Sequence, residues 1–209
     1  MREMIMSGRL QPGAFIRQER IAEELGMSAT PVREGLLSLR GEGFVRLEPR
    51  RGFVVAPLSG GDVLDMFLAQ GLVAGELAAR CVSNADADDI SELQQLQHQL
   101  DELMSAGAYD EMEHVNHLFH WQVNSIADAP KMAWLLSVGA RYVPRRCYAT
   151  IGGWPGASQH GHRSIIDAIV ARDAEAARKA MEDHFVHAGD LLAQHRERMA
   201  AQRAGDENS

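Results

Sequence analysis

Cysteine is scarce in this chain. Two among 209 residues are too few for a disulfide framework, and Cys81 and Cys147 lack the spacing of a metal knuckle. Both fall in apolar, helix-patterned stretches and read as buried free thiols of a reducing compartment. Long apolar runs are missing too, so no segment is expected to cross a bilayer. The first residues do not carry the charged, apolar and small-residue regions of a secretion signal. The expected setting is the cytoplasm, with no membrane partner. No nucleophile elbow, phosphate-cradling glycine loop or dinucleotide fingerprint occurs. Glu111-Met112-Glu113-His114 supplies one Glu-x-x-His, where a di-metal carboxylate bundle needs two. These gaps argue against an enzyme; a helical metalloenzyme stands as the alternative class.

Lysine is absent from residues 1–57, and this absence says most about function. That stretch carries nine arginines against seven glutamates, a net of +2, while the remainder carries 12 basic and 22 acidic residues, a net of -10. An arginine-only head therefore sits on an acidic body, although the whole chain has a formal charge of -8. Arginine's planar fork suits bidentate contacts with phosphate and guanine.

The composition, 45% hydrophobic, allows one good core and a smaller second one. Met4 and Ile5 with a stop at Gly8 read as the end of a helix, which leads us to expect further residues upstream. Helical periodicity recurs over Gln18–Leu25, with Ile21, Ala22 and Leu25 on one face. Gly26 suits a left-handed helix end, Ser28 a helix cap, and Pro31 the first turn of the next helix. Val32, Leu36, Leu37 and Leu39 give that helix its expected buried face. Phe44–Leu47 and Gly52–Val55 are β-rich runs around Glu48-Pro49-Arg50-Arg51, hence a hairpin. Residues 56–61 form a natural linker, dividing the chain into 1–57 and 58–209.

Beyond the linker the pattern is helical throughout. It predicts helices over 62–82, 86–105, 108–127, 130–149, 158–171 and 173–200, with a loop at Gly152-Gly153-Trp154-Pro155-Gly156. The fold class is mainly α: a winged helix-turn-helix followed by an all-α antiparallel bundle.

In a helix-turn-helix the second helix enters the DNA major groove by its N-terminal end. Ser28, Thr30 and Arg33 occupy that position, with Arg33 able to reach guanine. Arg50, Arg51 and Gly52 form the hairpin tip, where phosphate or the minor groove is expected. One small head offers few contacts, so two heads on a symmetric body, reading a palindromic operator as a homodimer, are expected.

The head strongly resembles the GntR family of bacterial transcription regulators. The match runs from Ser7-Gly8-Arg9-Leu10-Gln11-Pro12-Gly13 through Ile21–Gly26 and Thr30-Pro31-Val32-Arg33-Glu34 to Gly43-Phe44-Val45 and Arg50-Arg51-Gly52. Family members often carry arginine where this chain has Ala29, which shifts readout onto Arg33 and the hairpin arginines.

In the body, Asn116 and His120 lie four apart on one helix face. His162 and His184 lie on two consecutive helices that can bring their imidazoles level. Three imidazoles and a weak oxygen donor, with positions left open, suit Zn²⁺, Ni²⁺ or Mn²⁺. His160 is set aside because it precedes Gly161 in the expected loop; His114 and His117 are offset from the Asn116 face.

The body resembles the FCD effector domain of FadR-type GntR regulators. Asn116-His117-Leu118-Phe119-His120 matches its Phe-His motif, with asparagine where an acidic ligand is usual. His162, Ala168-Ile169, Asp173-Ala174, Ala177 and His184 match its later pattern. The resemblance implies a ligand-responsive regulator, a repressor sensing a small carboxylate effector beside a divalent metal; a purely structural metal is the competing reading. The family's usual arginine and glutamate are Gln70 and Ala74 here, implying a changed effector. Gln70 together with Arg141, Arg145, Arg146 or Arg163 are the candidate ligand-binding residues.

Overall fold

In the computed structural model, which describes residues 1–144 and 146–206, the first 59 residues form a unit of their own. It opens with α1 (Arg2–Met6), whose Met4, Ile5 and Met6 are all buried. Helices α2 (Gln18–Leu25) and α3 (Ala29–Gly41) follow, separated by Gly26 in the left-handed region at φ 65. Strands β1 (Val45–Glu48) and β2 (Gly52–Val55) make an antiparallel hairpin in the register Val45↔Val55 to Glu48↔Gly52.

The segment before α2 adds a third rung that periodicity does not reveal. Ile16 N–H donates to Phe53 O at 2.8 Å, Val55 N–H donates to Ala14 O at 3.0 Å, and Phe15 bridges Val54. β2 is therefore the middle strand, and its Phe53, Val54 and Val55 are all buried instead of alternating. Ile16, Val32, Leu36, Phe44 and Phe53 complete the core. Burying each such side chain is worth roughly 1.5–3 kcal/mol.

Two residues expected in that core lie outside it. Leu37 is 44% exposed, because at about 100° per residue it stands roughly 140° around α3 from Val32. Leu25 is 40% exposed; it ends α2, so no following turn covers it.

Residues Gly60–Ser209 make the second unit. Its elements are α4 (Gly60–Asn84), α5 (Ala87–Ala106), α6 (Tyr109–Ile126), α7 (Pro130–Gly139), a 3-10 turn (Ala140–Tyr142), α8 (Cys147–Thr150), α9 (Trp154–Val170) and α10 (Ala174–Asp206). α4 and α10 pack closely and antiparallel: a Cβ at Gly71 would meet Glu182, whereas one at Gly60 would meet Glu197. α5 packs on α6 and α9, and α9 on α10. Arg172 closes the base by donating to the carbonyls of Val82 and Ala85 at 2.9 and 2.7 Å. A cation there satisfies free carbonyls at the α4 C-terminus.

Side-chain caps start two of the helices. Asp86 and Asp89 form a reciprocal capping box on α5, and Asp173 accepts from the Ala176 N–H at the head of α10. The helix expected over 130–149 is broken. It ends at Gly139, and Val143 turns extended (φ -79, ψ 124) before Pro144, as the residue preceding a proline is pushed to do. The loop expected at 152–156 is also shorter. Trp154 already starts α9, with Pro155 in the first turn where its missing N–H costs little.

Candidate metal centre

Three helices of the second unit each send one imidazole to a common point. His120 of α6 places Nε2 3.3 Å from Nε2 of His162 (α9) and 3.2 Å from Nε2 of His184 (α10). The three donor atoms all lie within 4.8 Å of one another. Metal–nitrogen bonds of about 2.05 Å at tetrahedral angles put neighbouring nitrogens about 3.3 Å apart. The two short separations match that edge, so the donor set fits an ion of the zinc class.

Packing aims these rings. Phe119 stacks on His162 with centroids 4.0 Å apart and planes 18° from parallel. His162 is fully buried, and its Nδ1 lies 3.1 Å from Gln97 Oε1 on α5. The amide oxygen only accepts, so Nδ1 carries the proton and Nε2 presents its lone pair. Gln97 is itself held by Asp101, whose Oδ1 accepts from Gln97 and Gln159 (2.7 Å each) and whose Oδ2 accepts from Arg163 (2.8 Å). Metal-bound imidazoles commonly have such an outer partner.

The electrostatics favour neutral rings. Burial pushes His120 and His162 well below the usual histidine range, and neighbouring imidazoles push in the same direction. Burial, then His187, takes His184 down to about 4. At neutral pH the three rings are uncharged, which is the form that ligates metal.

The imidazoles of His120 and His184 open on a cavity of about 680 Å³, walled by α4 and α6 to α10. Its wall is largely apolar, with Phe67, Trp121, Leu136 and Phe185 prominent. Asn116 borders it, one turn before His120, and its Oδ1 accepts from Ser158 Oγ at 3.3 Å; Ser158 in turn pairs with Tyr148 at 2.7 Å. Gln70 borders it from α4.

Several expectations need correction. No arginine or lysine lines the cavity among the described residues. Arg163 sits one residue past His162, about 100° around α9, and pairs with Asp101 instead. Arg146 is exposed and pairs with Asp110 at 3.1 Å. Arg141 lies in the 3-10 turn, outside the lining. Arg145 falls outside the described residues. His160 is helical, not in a loop; it stands about 200° from His162, which excludes it from the cluster. His117, set aside from sequence, does border the cavity. Gln97 and Glu113 were missed. Cys81 and Cys147 are free and buried as expected, and burial pushes Cys81 up to about 12.

In the first unit, Ser28, Thr30 and Arg33 are exposed over the first turns of α3, as are Arg50 and Arg51 at the hairpin tip. Ser28 is the N-cap residue, but its hydroxyl makes no cap bond. Arg50 adopts φ 64 and Gly52 φ 87, which makes the tip a tight turn, and Arg51 pairs with Glu48 at 3.0 Å.

The chain matches the FCD domain family over residues 65–187 and the bacterial regulatory proteins of the gntR family over residues 1–55. It is 28% identical to the HTH-type transcriptional regulator McbR of Escherichia coli over 130 residues, an alignment spanning 62% of this chain and 59% of McbR. It is 26% identical to the regulator YdhC of Bacillus subtilis, covering 90% of this chain and 85% of YdhC. The HTH-type transcriptional repressor RspR of Escherichia coli is 24% identical, with 94% and 87% covered. In three dimensions the fold is similar to E. coli McbR/YncC (TM-score 0.69, 24% identity, 92% of this chain and 93% of that one). It is also similar to a putative GntR regulator of Rhodococcus sp. RHA1 (TM-score 0.57, 22% identity, 91% and 92%). These relatives are transcriptional regulators, not enzymes, and no described helix is long and apolar enough to cross a membrane. The chain belongs to the GntR family of bacterial transcriptional regulators, with an FCD domain following its helix-turn-helix.

Proposed function

We propose that this regulator is a repressor that releases its operator when a small organic acid binds beside a divalent metal in the helical unit. The observation that carries the reading is the convergence of three neutral imidazoles, two of which open on a cavity large enough for a metabolite. His120, His162 and His184 hold the ion, with Zn²⁺, Ni²⁺ or Mn²⁺ the candidates, and Asn116 Oδ1 serves as a fourth, neutral donor. When bound, the ion offers open positions to a carboxylate oxygen. Because every protein donor is uncharged, an anionic ligand is needed to balance a dication in this buried setting.

Ser28, Thr30 and Arg33 enter the major groove, and Arg50, Arg51 and Gly52 lie against the flanking backbone. The chain acts in the cytoplasm as a homodimer on a palindromic site, because a single head makes too few contacts for specificity. The acid shifts the population of helical-unit conformations, and with it the DNA affinity, by the difference in its own affinity for each. The repressor direction is carried over from RspR, which is named as one.

The test combines native mass spectrometry with gel shifts. Expected results are a dimer with one divalent ion per chain, an inverted repeat as the DNA selected from a random pool, and release of that DNA by an organic acid. Chelation should abolish the release. If chelated protein still responds fully to the acid, the metal is only structural and the sensing reading fails.

A further inference from the structure

Two helices face each other behind the imidazole centre, each with a polar pair four residues apart. α5 brings Gln97 and Asp101, and α9 brings Gln159 and Arg163, with His162 next to Arg163 on the same helix. Gln97 is 5% exposed and His162 fully buried, so their polar atoms must be satisfied by protein neighbours.

The bonds run in one direction. Asp101 Oδ2 accepts from Arg163 at 2.8 Å, and Oδ1 accepts from Gln97 Nε2 at 2.7 Å. A carboxylate only accepts, which turns the Gln97 amide oxygen toward Nδ1 of His162, 3.1 Å away. Nδ1 then donates, and Nε2, 3.3 Å from His120 Nε2, keeps the lone pair that a metal ion requires. Phe119 stacks on the ring and fixes its plane, but a stacked face is blind to which nitrogen bears the hydrogen. The choice of nitrogen is made at Asp101, one hydrogen bond further out than Gln97.

We infer that Asp101 is a positioning residue for the metal centre: through the Gln97 amide it sets the His162 tautomer that leaves Nε2 free for the ion. This rests on the reading that His162 is a ligand of that ion. Arg163 makes the arrangement strict. In Asp101→Asn the new amide turns its oxygen to the Arg163 guanidinium, because an N–H there would oppose a cationic donor. Its nitrogen then faces Gln97, whose amide reverses and offers Nε2–H to the ring. Nδ1 must accept, so the neutral ring takes its other tautomer, with the hydrogen on Nε2 where the ion would bind. Exchanging the two groups, Gln97→Glu with Asp101→Asn, restores the original direction. The amide at 101 then donates to the carboxylate at 97, whose second oxygen accepts from Nδ1. Gln159, the other donor to Asp101 Oδ1 at 2.7 Å, is half-buried and reverses its amide in step.

The test is nitrogen-15 NMR of the histidine rings in the metal-free full chain, together with a competitive zinc titration. His162 is assigned by the signals lost in His162→Gln. Wild type should carry hydrogen on Nδ1 of His162. Asp101→Asn should carry it on Nε2 and bind zinc about 10–100-fold more weakly. The exchanged pair should return the Nδ1–H form and recover most of the zinc affinity. Arg163→Ala removes the ion pair but leaves Oδ1 accepting from Gln97, so its tautomer should stay that of the wild type. Should Asp101→Asn unfold, the wild-type spectrum and the exchanged pair still decide. Hydrogen on Nε2 in the wild type, or an exchanged pair that binds zinc no better than Asp101→Asn, would overturn the inference. Weaker zinc binding by Asp101→Asn with an unchanged tautomer would also overturn it, reducing Asp101 to a clamp between α5 and α9. Wild-type protein that takes up no zinc, or zinc binding unchanged in His162→Gln, would overturn the ligand reading beneath it.

Discussion

Gly161 leaves the room that His184 occupies. A Cβ built on Gly161 would stand 2.9 Å from His184 Cγ and overlap the imidazole, and α9 at this point meets α10 with backbone against ring. In the middle of a helix glycine costs roughly 0.5–1 kcal/mol relative to alanine, so its presence here trades local helix stability for the placement of a ligand.

Gly161→Ala should therefore lower stability by about 1–3 kcal/mol through overpacking, against its own helix propensity. It should also weaken metal binding, because His184 must turn away. Gly156→Ala is the control: it lies in the same helix with nothing within 4 Å of its added Cβ, and should be neutral or stabilising. Thermal melts and a competitive zinc titration on both variants check the pair. Unchanged zinc affinity in Gly161→Ala would show that His184 is not held by this contact.

The buried imidazoles also fix a direction of pH dependence. His184 has a folded pKa of about 4 against an ordinary 6.5, with burial as the main cause. A group depressed on folding contributes stability that is present above its unfolded pKa and lost as pH falls toward the folded one. The metal-free protein should lose stability between about pH 6.5 and 4, by an amount on the order of 3 kcal/mol for this residue. His184→Gln should flatten that slope. Chemical denaturation at a series of pH values decides it, and a slope as steep in the variant would remove His184 as its source.

The sequence exposed those parts of the protein that rest on local rules. The glycine turn at Gly26, Pro31 in a first helical turn and the 3.6 periodicity placed most helices, and the i, i+4 pairing with two consecutive helices located His120, His162 and His184. What escaped depended on the neighbourhood. Residues 13–16 join the hairpin through backbone bonds that have no side-chain signature. Gln97 hides in the polar run Gln94-Gln95-Leu96-Gln97-His98-Gln99, although its neighbours Leu93, Leu96 and Leu100 are buried with it. Arg163 reads as an anion anchor until Asp101, 62 residues away, is seen to hold it.

Gln97 yields a prediction that separates positioning from packing. Gln97→Leu preserves bulk in the α5 core but leaves His162 Nδ1 without its acceptor. Loss of such an outer partner typically weakens metal binding 10–100-fold. Gln97→Glu keeps an acceptor for Nδ1 but sets its second oxygen against Asp101 Oδ1, which accepts from the Gln97 amide at 2.7 Å, so its affinity should fall between those of Gln97→Leu and the wild type. Zinc competition assays report the affinity, and cobalt spectra of the loaded protein report the coordination. Equal affinities in all three proteins would mean that Phe119 stacking alone holds the ring.

Arg33 and Arg51 should differ in kind at the DNA. Arg33 stands exposed on the second turn of α3, whereas Arg51 already pairs with Glu48 at 3.0 Å. A base-reading arginine contributes about 1–3 kcal/mol and carries sequence preference; a phosphate contact contributes charge and salt dependence. Arg33→Ala should weaken operator binding about 10–100-fold and relax selectivity at one base pair per half-site. Arg51→Ala should weaken all sequences alike and lower the salt slope by about one per head. Glu48→Gln frees Arg51 from its ion pair and should raise non-specific affinity. Binding measured across several salt concentrations, on the selected site and on scrambled DNA, distinguishes the three. If Arg33→Ala lost affinity equally on both DNAs, Arg33 would be a backbone contact, and base readout would belong elsewhere on α3.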